Sequence, residues 1–291
     1  MRVGTVLHEN QKKIVFFTGK GLVPLTSLTT QPLAYTTLDD ALQTQDGQNL
    51  LHTLWSKLAH TNMDSVLIHE TDVQFCSPLS EPEKLICVGL NYRRHAEETK
   101  MAIPEYPILF SKFNNALVGH KAKVMKPDST KQMDYEAELV IVMGQECRNV
   151  SVESALDYVF GYASGNDLSA RDLQFRTGQW LLGKFLPGFA PLGPYIASQD
   201  EIPNPNALSI ELYLNGELRQ HSNTDNMIFN CAEIISYLST FITLKPGDLI
   251  YTGTPEGVIM GRDTAHQDWL KPGDQMTVKI EGLGELVTDV L

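Results

Sequence analysis

The 291-residue chain is poor in the features that would tie it to a membrane, a disulfide framework or a nucleic acid. Its four cysteines, Cys76, Cys87, Cys147 and Cys231, include no pair in CxxC spacing. That argues against a thiolate zinc site or a disulfide scaffold and leaves buried free thiols as the ordinary reading. No run approaches the ~18 uninterrupted apolar residues of a membrane-spanning helix. The opening MRVGTVLHENQKK has no apolar stretch behind a basic start, so no secretory signal is read there. Basic charge is also short: 23 Lys and Arg against 35 Asp and Glu, a formal charge of −12. Nucleic acid and anionic membranes both call for a basic footprint, so neither is expected as a partner. The expected location is the cytoplasm. An acidic chain also raises a question: an anionic substrate would have to meet locally positive ground.

Hydrophobic residues make up 42% of the sequence, enough at this length to bury a sizeable core. Residues 1–80 differ from the rest. RVGTVLH, KIVFFTG and GLVPLTS are short β-rich runs separated by polar or glycine signals, followed by a helical repeat of Leu51, Leu54 and Leu58. SPLSEPEK (77–84), with two prolines and no periodicity, predicts a boundary, giving a small N-terminal α/β domain at 1–80 and a larger domain at 81–291. In the second part β runs dominate: KLICVGL, YPILFSKF, ALVGHKAKVM, EAELVIVMG, LSIELYLNG, DLIYTGT and QMTVKIEG. Helical patterns begin near Ser151 and near Cys231, and KPGD at 245–248 and at 271–274 predicts two turns that each feed a strand. The fold class is therefore mixed and β-rich (α+β), built around a large rolled β-sheet.

Five segments could carry chemistry. MDYEAELVIVMG (133–144) begins a buried strand with Asp134, Glu136 and Glu138 at alternate positions, so the two glutamates share a face. Such an array is either a solvated acidic edge or a shared cation site. YVFGYASGNDLSARDLQ (158–174) runs a small-residue strand into Asp167, which alone reads as a turn former. Three carboxylates without cysteine suit a hard cation, Mg²⁺ or Mn²⁺, better than zinc. In KLICVGLNYRRHAEET (84–99), His95 and Glu98 stand three apart and would share a helix face, as a surface pair or as an oriented general base. Lys184 is the only charge in WLLGKFLPGFAPLGPYI (180–196), so it either snorkels or meets a buried anion. DLIYTGTPEGV (248–258) opens a strand into Thr-Gly-Thr-Pro, either an ordinary turn or a cradle for a carboxylate.

In this order, the five segments resemble the fumarylacetoacetate hydrolase family across residues 84–291, and within it the acylpyruvase and oxaloacetate decarboxylase branch. The resemblance implies a rolled mixed β fold, a homodimer and a divalent metal held by Glu136, Glu138 and Asp167. It implies a catalytic His95–Glu98 dyad and Lys184, with Arg171, Gln174 and Thr254 on the substrate. Two departures stand near the pocket rim of the family: Lys112-Phe113 where a lysine–proline pair is common, and Glu256 where many members have glycine. The expected reaction is metal-dependent hydrolytic C–C cleavage of a 2,4-dioxo acid such as an acylpyruvate, with water activated by the dyad. Decarboxylation of oxaloacetate, or isomerase or hydratase chemistry, is the runner-up. A metal-stabilised metabolite-binding scaffold is the non-enzymatic alternative. Lys184 and Arg171 would offset a 2-oxo acid on an otherwise anionic site.

Overall fold

A computed structural model describes residues 1–60, 62–63 and 65–291. Its centre is an eleven-stranded mixed sheet. The order along the main path is Gly21–Pro24, Gln11–Thr18, Arg2–His8, Ala190–Ser198, Val159–Asn166, Ala137–Met143, Leu249–Tyr251, Leu85–Gly89 and Ile108–Ser111. Gln74–Phe75 pairs with Arg2–His8, and Leu117–Val118 runs parallel to the start of Ala190–Ser198. A five-stranded sheet packs against it, in the order Glu217–Asn223, Ser209–Leu214, Gln275–Ile280, Glu285–Val290 and Ala122–Val124. This is the β-rich mixed class that the sequence predicts. Among the described residues no helix is long and apolar enough to cross a membrane.

Ala137–Met143 is buried at every position, as a strand covered on both faces must be. Leu139, Ile141 and Met143 face a core shared with Ile210, Leu212 and Val278 of the second sheet and with the helix Cys231–Phe241. Val140 and Val142 face a second core completed by Phe16, Leu38, Leu51 and Leu54 of the N-terminal segment. That segment contributes four strands to the same sheet, joined to it where Arg2 and Val3 pair with Ala197 and Ile196. Its helix Gln45–Lys57 starts at Thr44, whose hydroxyl accepts from Gly47 N at 3.1 Å. Gln48 then donates to the carbonyls of Leu42 and Gly144, fixing this helix to the end of strand Ala137–Met143.

The helical repeat resolves into two helices, Leu38–Leu42 and Gln45–Lys57, and the pattern near Ser151 is a 3-10 helix, Val152–Tyr158. Both KPGD turns feed strands, Leu249–Tyr251 and Gln275–Ile280. In each the aspartate accepts from the lysine three residues earlier, at 2.8 and 2.9 Å. The central strand Ala190–Ser198 lies in a stretch whose prolines, Pro191 and Pro194, read against a strand. Its pairing with Val159–Asn166 is irregular between Tyr162 and Ser164, where Pro194 falls, while Pro191 stands next to the short parallel strand at Val118.

Candidate active site

The antiparallel pairing of Ala137–Met143 with Val159–Asn166 sets Glu138 opposite Gly165 and Ala137 opposite Asn166. Just beyond the pair, Asp167 N donates to Glu136 O at 2.9 Å, and Asn166 Oδ1 accepts from Glu136 N at 3.0 Å. These bonds gather Glu136, Glu138 and Asp167, with one oxygen of each within 4.8 Å of the others. All three are buried, at 5%, 2% and 0% exposure, so the solvated-edge reading does not apply.

Charge is unevenly shared among them. Lys184 Nζ donates to Glu136 Oε2 at 2.7 Å and to Asp167 Oδ2 at 2.8 Å, and lies 4.9 Å over the Phe110 ring. Gly183 lets the lysine approach: a Cβ there would stand 2.5 Å from Ala170 O and 2.6 Å from Gln174 N. Arg171 Nη2 pairs with Glu136 Oε1 at 2.7 Å, and its Nε donates to Asp134 Oδ2 at 2.9 Å. Burial pushes the Glu136 carboxyl up, but Arg171 and Lys184 outweigh it and hold it well below the usual carboxylate range. Glu138 accepts from Gly253 N at 2.8 Å and makes no ion pair among the described residues. Burial and the neighbouring Asp167 and Glu136 carboxylates push it well above its ordinary value. A buried carboxylate left to two like charges is the arrangement that a divalent cation relieves, and an all-oxygen donor set fits Mg²⁺ or Mn²⁺.

The dyad residues stand on the short helix Arg93–Glu98. Leu90, at φ +54°, turns the chain out of strand Leu85–Gly89, and Asn91 then anchors it. The Asn91 amide donates to Phe229 O and Thr252 O, and its oxygen accepts from Phe229 N. His95 Nδ1 lies 2.9 Å from Glu98 Oε1, and Gly257 N donates to Glu98 Oε2 at 3.0 Å. Gly261 makes room, because a Cβ there would come within 2.5 Å of the Glu98 carboxyl carbon. Glu256 faces Arg94 of the same helix at 3.4 Å, an exposed pair of small energetic weight.

One pocket collects His95, Glu136, Glu138, Arg171, Gln174, Lys184 and Thr254 on its walls. Gln174 accepts from Arg171 Nη1 at 3.0 Å, and the Thr254 hydroxyl accepts from Gln220 Nε2 at 2.9 Å. Val88, Met101, Phe110, Phe175, Trp180 and Met260 supply the apolar remainder. Glu98 and Asp167 sit behind this surface, Glu98 on an adjoining polar chamber with Lys100, Arg262 and Gln267.

Three supporting residues stand behind these, with partners that the sequence alone does not give. Asp134 is fully buried rather than solvated, accepting from Arg171 and from the backbone of Tyr135, Ile259 and Met260. Gln220, on the second sheet, accepts from Ala137 N and donates to Thr254 Oγ1 and Pro255 O. Lys112 places its ammonium 2.5 Å from Asp167 Oδ1.

Comparison with known proteins fits this architecture. Residues 84–291 match the fumarylacetoacetate (FAA) hydrolase C-terminal family. The chain is 41% identical over 226 residues to a mitochondrial oxaloacetate tautomerase of Rattus norvegicus, covering 77% of this chain and 72% of that one. Over its whole length it superposes on the fumarylacetoacetate hydrolase of psychrophilic Exiguobacterium antarcticum, with a TM-score of 0.83, 32% identity and 99% of that chain covered. A fumarylpyruvate hydrolase of Pseudomonas aeruginosa, solved with Mn²⁺ and pyruvate, matches 72% of this chain and 90% of its own at a TM-score of 0.66 and 37% identity. The match spans all five segments of the pocket, and the chain belongs to the fumarylacetoacetate hydrolase family.

Proposed function

We propose that this protein is a divalent-cation-dependent enzyme acting on a small 2-oxo acid by proton transfer at the carbon beside the oxo group, with oxaloacetate keto–enol tautomerisation as its reaction. The observation that carries this reading is one pocket that His95 enters, oriented by Glu98 behind it, together with Glu136 and Glu138 of the carboxylate cluster that Asp167 completes. The name of the Rattus norvegicus relative supports the choice of substrate.

Glu98 accepts the Nδ1 proton of His95, which fixes the tautomer and leaves Nε2 as the basic nitrogen. Nε2 has no partner among the described residues and is free to take a proton from C3 of the substrate. As the C3–H bond breaks, its electron pair forms the C2–C3 double bond and charge moves to the C2 oxygen. Lys184, hydrogen-bonded at the floor of the pocket, stabilises that oxygen as an ammonium; the proton held by His95 is released to solvent and the enol oxygen takes one from solvent, which restores both side chains. A cation held by Glu136, Glu138 and Asp167, Mg²⁺ or Mn²⁺, would supply Lewis-acid polarisation of the 2-oxo group. Phe110, Phe175, Trp180 and Met260 keep water from the developing charge. The family resemblance supports a homodimer as the working assembly.

Hydrolytic cleavage of an acylpyruvate is the second reading, favoured by likeness to the Pseudomonas aeruginosa fumarylpyruvate hydrolase. It uses the same dyad, with water rather than a C–H bond as the proton source. A side-by-side assay decides. The expected result is faster loss of the oxaloacetate enol absorbance, abolished by EDTA, restored by Mn²⁺ or Mg²⁺, and reduced roughly 10²–10⁴-fold in His95→Ala. Faster release of pyruvate from acetylpyruvate or fumarylpyruvate would replace this reading with the hydrolytic one; faster release from oxaloacetate, with loss of CO₂, would replace it with decarboxylation. A Tm raised by metal without turnover of any of these acids would leave a binding scaffold.

A further inference from the structure

Lys112 follows the strand Ile108–Ser111, and its side chain is completely buried. Its Nζ donates to three backbone carbonyls, Leu168 at 2.9 Å, Lys184 at 2.7 Å and Phe189 at 2.7 Å, and lies 2.5 Å from Asp167 Oδ1. An ammonium has three hydrogens, which the three carbonyls take, so Asp167 Oδ1 is held by the charge of an ion pair. The acceptors are not arbitrary. Leu168 is the residue after Asp167, and the second carbonyl belongs to Lys184 itself. One buried cation thus grips the backbone on either side of the Asp167–Lys184 ion pair and one oxygen of the aspartate.

The charges make the same point. Glu136, Glu138, Asp167 and Asp134 are four buried carboxylates, and Arg171 and Lys184 supply two cations within hydrogen-bond or ion-pair distance. Lys112 is the third. With Lys112 on Oδ1 and Lys184 on Oδ2, the Asp167 carboxylate is held at both ends, and its plane is fixed relative to Glu136 and Glu138.

We propose that Lys112 is a positioning residue for the cation site: its grip on Asp167 and on the Lys184 backbone orients the third carboxylate ligand and the active lysine together. The inference rests on the proposed function only in taking Glu136, Glu138 and Asp167 as a divalent-cation site. Groups that orient metal ligands from behind typically contribute about 10–100-fold in affinity.

The test is Mn²⁺ binding to the purified full chain, by calorimetry and by the electron paramagnetic resonance of free Mn²⁺, without substrate. Wild type and Lys112→Met, Lys112→Gln and Lys112→Arg are compared, with Tm measured in EDTA. The expected result is a Kd weaker by about tenfold or more in Lys112→Met. Lys112→Arg, which keeps the charge, should recover part of the loss, and kcat should fall more than KM rises. Should Lys112→Met not fold, Lys112→Gln, which keeps two donors, carries the comparison. A folded variant that binds Mn²⁺ within about twofold of wild type, whatever its Tm, would overturn the inference alone. Failure of wild type to bind Mn²⁺ would overturn the cation reading and this inference with it.

Discussion

The strand Ala137–Met143 and the N-terminal helix Gln45–Lys57 are packed into one core, with Val140 and Val142 on one side and Leu51 and Leu54 on the other. They solve the problem of burial in different ways. The helix buries apolar side chains and, Gln48 apart, turns its polar ones outward, the ordinary amphipathic pattern. The strand begins by burying Glu138 beside Glu136, where burial and two neighbouring carboxylates raise its pKa, Lys184 offsets them only in part, and no ion pair reaches it among the described residues. One element stabilises the fold; the other holds an unfavourable charge that folding alone does not explain. Strain of this kind collects where a ligand is meant to relieve it.

The contrast predicts opposite responses to mutation. Glu138→Gln should remove a repulsive charge of the empty site, so Tm in EDTA is expected to hold or rise. Turnover should drop by roughly 10² or more, and the rise in Tm on adding Mn²⁺ should disappear. A variant that still gains stability from Mn²⁺ would break the comparison. Leu51→Ala should do the reverse. Loss of a fully buried leucine costs about 2–5 kcal/mol of stability, read from denaturant unfolding, while kcat per folded molecule stays at the wild-type value. A large fall in kcat would mean that the helix tunes the site through the Gln48–Gly144 contact.

A smaller effect sharpens the same distinction away from the site. His120 is buried, accepts from Val287 N at Nδ1 and stands edge-on to Phe75, 4.7 Å between centroids. Burial, aided by Lys121, lowers its pKa from 6.5 to about 4. The unfolded chain therefore binds this proton more readily than the folded one. The contribution is complete above about pH 6.5 and is lost as pH falls toward 4. His120→Gln should flatten the fall in Tm between pH 6.5 and 4.5 relative to wild type. An unchanged slope would assign the acid sensitivity to other groups.

Much of this was legible in the sequence because its signals were local. Alternating or continuous apolar runs marked most strands, Pro-Gly pairs marked the turns, and two glutamates heading an apolar strand marked the carboxylate cluster. What escaped depends on distance along the chain or on compensation. Ala190–Ser198 is a central strand in spite of two prolines, and its pairing is irregular where Pro194 falls. Lys112 owes its place to carbonyls 56, 72 and 77 residues away, and Gln220 reaches Ala137 across 83 residues. No window of sequence contains those contacts. Asp134 stood in view beside the glutamates, but its partners, Arg171 and the backbone at Ile259 and Met260, did not.

The hydrogen bonds that fill the pocket floor also bear on speed. Lys184 and Arg171 are both committed to carboxylates, and Glu136 and Asp167 have each oxygen engaged by a cation. A charged ligand entering here does not drop into a vacancy; it must win partners that are already bonded to one another. Where such a pair must open first, the association rate should respond to temperature more steeply than to solvent viscosity, which stopped-flow mixing would read.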